Sequence, residues 1–129
     1  MNFLEWKSSY EASPGVYGVS DCCLALADWA VANGYEDGAE DLRGAYQTEA
    51  QMYAIIAAYG DVVDIVGRCA TIAGCKQIQR QTLGSIAVIG NPQNVYRQWG
   101  AIWDGARWQV RLKDGFVAIS ARPLKIWAV

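Results

Sequence analysis

Trp108-Gln109-Val110-Arg111-Leu112-Lys113-Asp114-Gly115-Phe116-Val117-Ala118-Ile119-Ser120 alternates apolar and polar side chains, reaches an Asp-Gly pair, and resumes as an apolar run. A period of two is that of a strand with one face buried, and Asp-Gly is a strong signal for a tight hairpin turn. Trp108, Val110 and Leu112 should therefore face a core, with Gln109, Arg111 and Lys113 facing outward. Asp104-Gly105 marks a second hairpin. Val95 to Trp103 reads as the strand before it, and Ile86 to Ile89 as an earlier strand ended by Asn91-Pro92. Beyond Ser120, Pro123 interrupts, and Leu124 to Val129 closes the sheet.

Ahead of Gly74 the pattern is helical. Asp21 is a good N-cap and Asn33-Gly34 a good stop, which sets a helix over 21–33. Apolar residues cover most of its surface, so it should be central. Residues 34 to 47 read as a loop. Thr48 with Gln51 is a capping box for a second helix ending at Gly60. Asp61 and Asp64 cap a third, closed by Gly74. Residues 1–20 read as an irregular arm with a short helical start, in which Phe3, Leu4 and Trp6 either anchor it to a partner or fold it back over its own sheet. Helices first and a strand meander after them predict an α+β domain, with N-terminal helices packed on a C-terminal antiparallel sheet.

A hydrophobic share of 53% and a charged share of 19% support a real core in a single domain spanning 1–129. Thirteen acidic residues against 11 basic ones give a net charge of −2 with no basic block, which excludes the usual nucleic-acid footprint. Met1 to Tyr10 carries charge among its apolar residues, unlike a signal peptide. The run Leu24 to Ala32 is broken by Asp28 and is too short to span a bilayer. Four cysteines in this pattern do not make a secreted disulfide framework, and a reducing origin is the default, with a Cys69–Cys75 pair left open. The chain has no histidine, Cys69-x5-Cys75 is no zinc spacing, and adjacent Cys22 and Cys23 suit an iron–sulfur cluster poorly. No metal and no cofactor are expected.

Cys22 follows Asp21 at a helix start, where unpaired backbone N–H groups favour a thiolate. A small buried pair of thiols explains the same residues, Cys23 more readily than Cys22. The segment Tyr17-Gly18-Val19-Ser20-Asp21-Cys22-Cys23-Leu24 resembles the nucleophile motif of the NlpC-like papain-fold cysteine peptidases, which reads Asp-Cys-Ser-Gly-Leu in cell-wall hydrolases. Gly84-Ser85-Ile86-Ala87-Val88 stands where that family opens its sheet with Gly-Asp. The family's base lies on the next strand, in a His-Val-Gly-Ile-Tyr pattern, and Gln98-Trp99-Gly100-Ala101-Ile102 matches it with Gln98 in place of the histidine. Leu42-Arg43-Gly44-Ala45-Tyr46 and Trp127 resemble features of a short, phage and prophage tail-associated branch of the same family.

This resemblance implies a papain-like fold with Cys22 as a degenerate nucleophile and Gln98 at the base position. Gln has no titratable group and cannot take the thiol proton. Asp21, as a cap, faces backbone N–H groups, and Asp104 lies at the far end of its strand. Arg43 and Tyr46 are cleft or loop residues, with loop stapling as the simpler role. Phe3, Trp6, Trp99 and Trp103 are docking candidates, since six Trp and seven Tyr are many for one small core. Three readings compete. The first is a structural component of a phage tail or tail tip without peptidase activity, assembled in the bacterial cytoplasm and carried in the virion. The second is a peptidoglycan endopeptidase using Cys22 during phage entry. The third is a module that grips a peptide or glycan in the old cleft.

Overall fold

Each helix begins where a side chain satisfies the backbone N–H groups that a first turn leaves free. In the computed structural model, which describes residues 1–129, helix α1 (Phe3–Tyr10) starts at Asn2, whose side chain accepts from Glu5 N–H. Helix α2 (Cys22–Ala32) starts at Asp21 and stops at Asn33. Helix α3 (Glu49–Tyr59) starts at Thr48, which accepts from Gln51 N–H at 3.2 Å. The return bond of that box lands one residue early, with Gln51 accepting from Gln47 N–H at 2.8 Å. Helix α4 (Val62–Ala73) has a full reciprocal box between Asp61 and Asp64, and left-handed Gly74 closes it.

The chain then makes β1 (Gln77–Ile78), β2 (Ile86–Gly90), β3 (Gln98–Trp103), β4 (Trp108–Leu112), β5 (Gly115–Ala118) and β6 (Pro123–Trp127). They form one antiparallel sheet in the order β1-β6-β2-β3-β4-β5. The protein is thus an α+β domain whose N-terminal helices precede a C-terminal sheet. Pro123 opens β6 rather than interrupting it, beside a slip in register at Val88/Ile89. A strand's first residue is a place where a missing N–H is tolerated. Val95 to Arg97 is a 3-10 turn capped by Asn94, so β3 begins only at Gln98. The short strand β1 has no counterpart in the sequence reading.

Both faces of the sheet are buried at its centre. Ile86, Val88, Ile102 and Trp127 face the helices and share the main core with Leu24, Trp29, Ile56, Ile65 and Val66. Ala87, Ile89, Ala101 and Val110 face the other way, and each has no exposed surface. Trp99, Trp103, Ile119 and Ala121 pack over that second cluster. Trp103 meets Trp108 edge-on across the β3–β4 pair, with ring centres 5.0 Å apart. Trp99 and Trp103, taken as docking candidates, are therefore half-buried lids on the protein's own core.

Of the two courses open to the arm the structure takes one, and the expected outward side of β4 needs correction. The arm folds back on its own domain. Phe3 is buried and meets Trp29 and Phe116 edge-on, and Trp6 stacks on Tyr10 at 4.5 Å and leans on Trp29 and Phe116. Phe3 is a core residue, and Trp6 is half-buried against it. The polar side of β4 is also covered. Gln109 is 7% and Arg111 2% exposed, while Leu112 is 41% exposed. The N-terminal arm lies over that side, with Ser13 accepting from Arg111 and Gly15 N–H donating to Lys113 C=O at 2.8 Å. Alternation within a strand reports which side chains share a face, not what a distant segment lays on it.

Candidate functional site

Cys22 is the first residue of α2 and is half-buried. It is held there by two close approaches. A Cβ on Gly100 would stand 2.8 Å from the Cys22 carbonyl oxygen and 2.9 Å from Leu26 Cδ1, so only glycine lets α2 lie directly on β3. Gly18 has φ +78°, and a Cβ there would stand 2.0 Å from the Tyr46 carbonyl oxygen. The turn entering α2 is thereby pressed against the 42–46 segment, and Gly44 N–H donates to Gly18 C=O at 2.9 Å.

Asp21 is the knot of this corner. One carboxylate oxygen accepts from Cys23 N–H and Leu24 N–H, both at 3.1 Å. The other accepts from Gly18 N–H at 2.9 Å and Tyr46 O–H at 2.6 Å. Burial, reinforced by the Asp21 charge, pushes the Tyr46 phenol far above its ordinary range. Arg43 acts one layer out. Its guanidinium grips Asp37 through Nε at 2.8 Å and Nη2 at 3.2 Å, and reaches Asp28 on α2 at 2.8 Å. Asp28 also accepts from Tyr10 O–H. The Leu42 to Tyr46 motif is therefore a staple that fixes the start of α2, the simpler of its two roles.

Cys22 lines a groove of about 490 Å³. The groove opens where β3 and β4 part, since their ladder pairs only Ile102 and Trp103 with Gln109 and Trp108. One wall is Gly15 to Tyr17, another is Glu49, Met52 and Tyr53 of α3, and the strands supply Gln98, Trp99, Arg111 and Lys113. Tyr17 O–H donates to Glu49 at 2.7 Å between the first two walls, and this bond helps push the Tyr17 phenol up to about 12. The Cys22 thiol lies below its ordinary value. Hydrogen bonding with the Cys23 thiol lowers it most, the backbone N–H groups of Gly100 and Cys22 itself add to this, and burial and the Asp21 charge act against it. Cys23 is correspondingly raised, by that same bond and by burial.

The structure thus brings Cys22, Asp21 and Gln98 to one groove and leaves Arg43, Tyr46 and Asp104 off its lining or behind it. Tyr46 supports Asp21 from behind. Gln98, at 4% exposure, is not a vacant base position: its carbonyl accepts from Val62 N–H at 3.2 Å and its amide donates to Asn91 C=O at 3.0 Å. It clamps the first turn of α4 to the loop before β3. Asp21 and Glu49 are the only carboxylates on the groove, and both are engaged as described. The sequence reading passed over Arg111, which it placed on an outer face; only the arm's return, 98 residues away, makes it a groove residue. The remaining cysteines are free thiols, with Cys69 raised to about 11 by burial. No group of three or more Cys, Asp or Glu side chains is arranged to hold a metal ion, and no helix is long and apolar enough to cross a membrane. Between α2, α3 and α4 lies an apolar void of about 40 Å³ lined by residues such as Leu26, Ile55 and Val66; it belongs to core packing.

Fold and site define an α+β domain with a half-buried cysteine at a helix N-terminus, set in an open groove beside a parted sheet. The family described as Domain of unknown function (DUF6950) matches residues 2–129, and the chain belongs to it. Neither a curated protein nor a solved structure matches the chain.

Proposed function

We propose that this chain is a non-catalytic relative of the NlpC-like papain-fold peptidases, serving as a component of a phage tail or tail tip that receives a peptide segment of a neighbouring subunit in the Cys22 groove. One observation carries this reading. The groove over Cys22 is open, while its two carboxylates are engaged, Asp21 by three backbone N–H groups and Tyr46 O–H, and Glu49 by Tyr17 O–H, and Gln98 has no titratable group. Without a base, thiol acyl transfer loses on the order of 10²–10⁴-fold in rate. An open groove without proton transfer suits binding. The tail setting rests on the sequence resemblance around Asp21-Cys22-Cys23 and Leu42 to Tyr46. Phe3 is buried and the arm packs on its own domain, so the groove, rather than the arm, is the contact assigned to the partner.

A specific observation favours a second reading. Cys22 stands on the first turn of α2, and hydrogen bonding with Cys23 and with the backbone N–H groups of Gly100 and Cys22 itself lowers its pKa, which is the condition for a nucleophilic thiolate. One experiment separates the two. Tails carrying the chain are fractionated on a gradient and cross-linked, and the pure chain is incubated with peptidoglycan whose soluble fragments are analysed by mass spectrometry. The expected result is co-migration with tails at fixed stoichiometry, cross-links to groove residues, and no fragments. Fragments that vanish on Cys22→Ala overturn the non-catalytic reading, and a chain found only as a free monomer overturns the tail reading.

A further inference from the structure

Nε and Nη1 of Arg111 are the only buried side-chain polar atoms in the molecule without a hydrogen-bond partner. The residue is 2% exposed, and only Nη2 is engaged, donating to the Ser13 carbonyl. The rings of Tyr10 and Phe116 lie 5.7 and 5.9 Å from its central carbon. Such contacts favour a cation but leave its N–H groups unsatisfied. No carboxylate forms an ion pair with it. Glu11 is close enough to feel the charge, yet its oxygens accept from Phe116 N–H at 2.8 Å and from Lys7 at 3.1 Å. Native proteins rarely leave a buried guanidinium unmatched, because an unpaired donor keeps its full desolvation cost.

Arg111 lines the same groove as Cys22, and Lys113 stands beside it on that lining. We propose that Arg111 is the receptor for a ligand carboxylate, so that the groove takes a peptide anchored by an acidic group at its Arg111–Lys113 end. This rests on the groove-binding reading above. A carboxylate has two acceptor oxygens, matched to the unpaired edges of a guanidinium. Val16, Trp99 and Met52 give the rest of the groove an apolar lining suited to peptide side chains. The Ser13 to Val16 strap covers the guanidinium in the free chain. It is exposed at Ser13, Pro14 and Val16, and carboxylate binding requires it to shift.

The test is an NMR titration of the ¹⁵N-labelled chain with three acetylated alanine peptides at millimolar concentration. One ends in a free carboxylate, one is C-terminally amidated with an internal Glu, and one is amidated with no acid. The Arg111 Nε–H signal, assigned through bonds in the unmodified chain, reports directly on the site. It should shift with one or both acidic peptides and stay still with the neutral one, and the two acidic arms tell a terminal from a side-chain carboxylate. Arg111→Lys should weaken acidic-peptide binding at least about tenfold, a loss of about 1.4 kcal/mol. If all three peptides shift the Cys22 and Tyr53 amides with equal affinity and Arg111 Nε–H does not move, the carboxylate assignment falls while groove binding stands. If none shifts a groove amide, both fall.

Discussion

Replacing Asp21 separates a cap from a catalytic base. In Asp21→Ala, the loss of the two N-cap bonds to Cys23 and Leu24 costs about 0.5–2 kcal/mol. Gly18 N–H and Tyr46 O–H also lose their acceptor, and buried orphan donors cost about 1–3 kcal/mol each. Neighbouring losses relax together, so the whole should come to about 3–5 kcal/mol. Asp21→Asn keeps one oxygen for Cys23 and Leu24 and lets Tyr46 turn to accept, but sets an NH₂ against Gly18 N–H; about 1–2 kcal/mol is expected. Urea unfolding of both variants, with an unchanged m-value, measures this. The same Asn variant removes a charge that disfavours the Cys22 thiolate. Iodoacetamide labelling of Cys22, with the other three cysteines changed to Ala, should therefore speed up at a pH below the thiol's titration. A variant within 0.5 kcal/mol of the parent, or one whose Cys22 alkylates more slowly, would refute the cap and favour Asp21 as a base.

Gln98→His removes the clamp between Val62 N–H and Asn91 C=O, and should cost about 1–3 kcal/mol in urea unfolding without producing peptidoglycan cleavage. Recovered cleavage would mean that the imidazole reaches Cys22. Gly18→Ala forces a Cβ to within 2.0 Å of the Tyr46 carbonyl at a φ of +78°, and should cost more than about 2 kcal/mol by thermal unfolding; a neutral result would mean that the turn and the 42–46 segment separate freely. Arg43 holds the Asp37 carboxyl below its ordinary range. A depressed carboxyl contributes stability that is present above its unfolded pKa, about 3.9, and is lost as pH falls through the folded value. Asp37→Asn should accordingly flatten the acid limb of the Tm–pH profile below about pH 4, and an unchanged limb would place that dependence elsewhere.

The elements legible in the sequence are those whose cause is local. Asp21, Thr48, Asp61 and Gly74 bound their helices through residues one to four positions away. Asp104 ties its own turn through Ala106 and Arg107 N–H. The site was legible in part, because Asp21 and Cys22 adjoin and the strand pattern puts Gln98 and Gly100 on one face. What stayed hidden depends on segments far apart in the chain. Arg111 reads as an outward residue of an alternating strand until residues 9–16 cover it. Phe3 and Trp6 read equally as an anchor for a partner or a cover on the sheet until Trp29 and Phe116 meet them. Gln98 reads as a lost base because nothing near it in sequence reveals that Val62 N–H needs an acceptor.

The polar contacts of the helical half converge on one corner. Tyr46 and Gly18 hold Asp21, Gly44 holds Gly18, and Tyr10 and Arg43 hold Asp28 one face along α2. A cysteine that merely fills volume is fixed by the shape of its neighbours and needs no such frame. Cys22 is half-buried at the edge of the second core cluster, on the lining of the groove. What the frame achieves is a fixed place for Cys22 on a groove that Arg111, whose buried guanidinium is unmatched, also lines. Placement and proton transfer are separate requirements of a cysteine enzyme, and this molecule meets the first while occupying the groups that would meet the second. A fixed cysteine and a cation on one lining suit a groove that holds a ligand still, and the Arg111 titration asks whether that ligand is acidic.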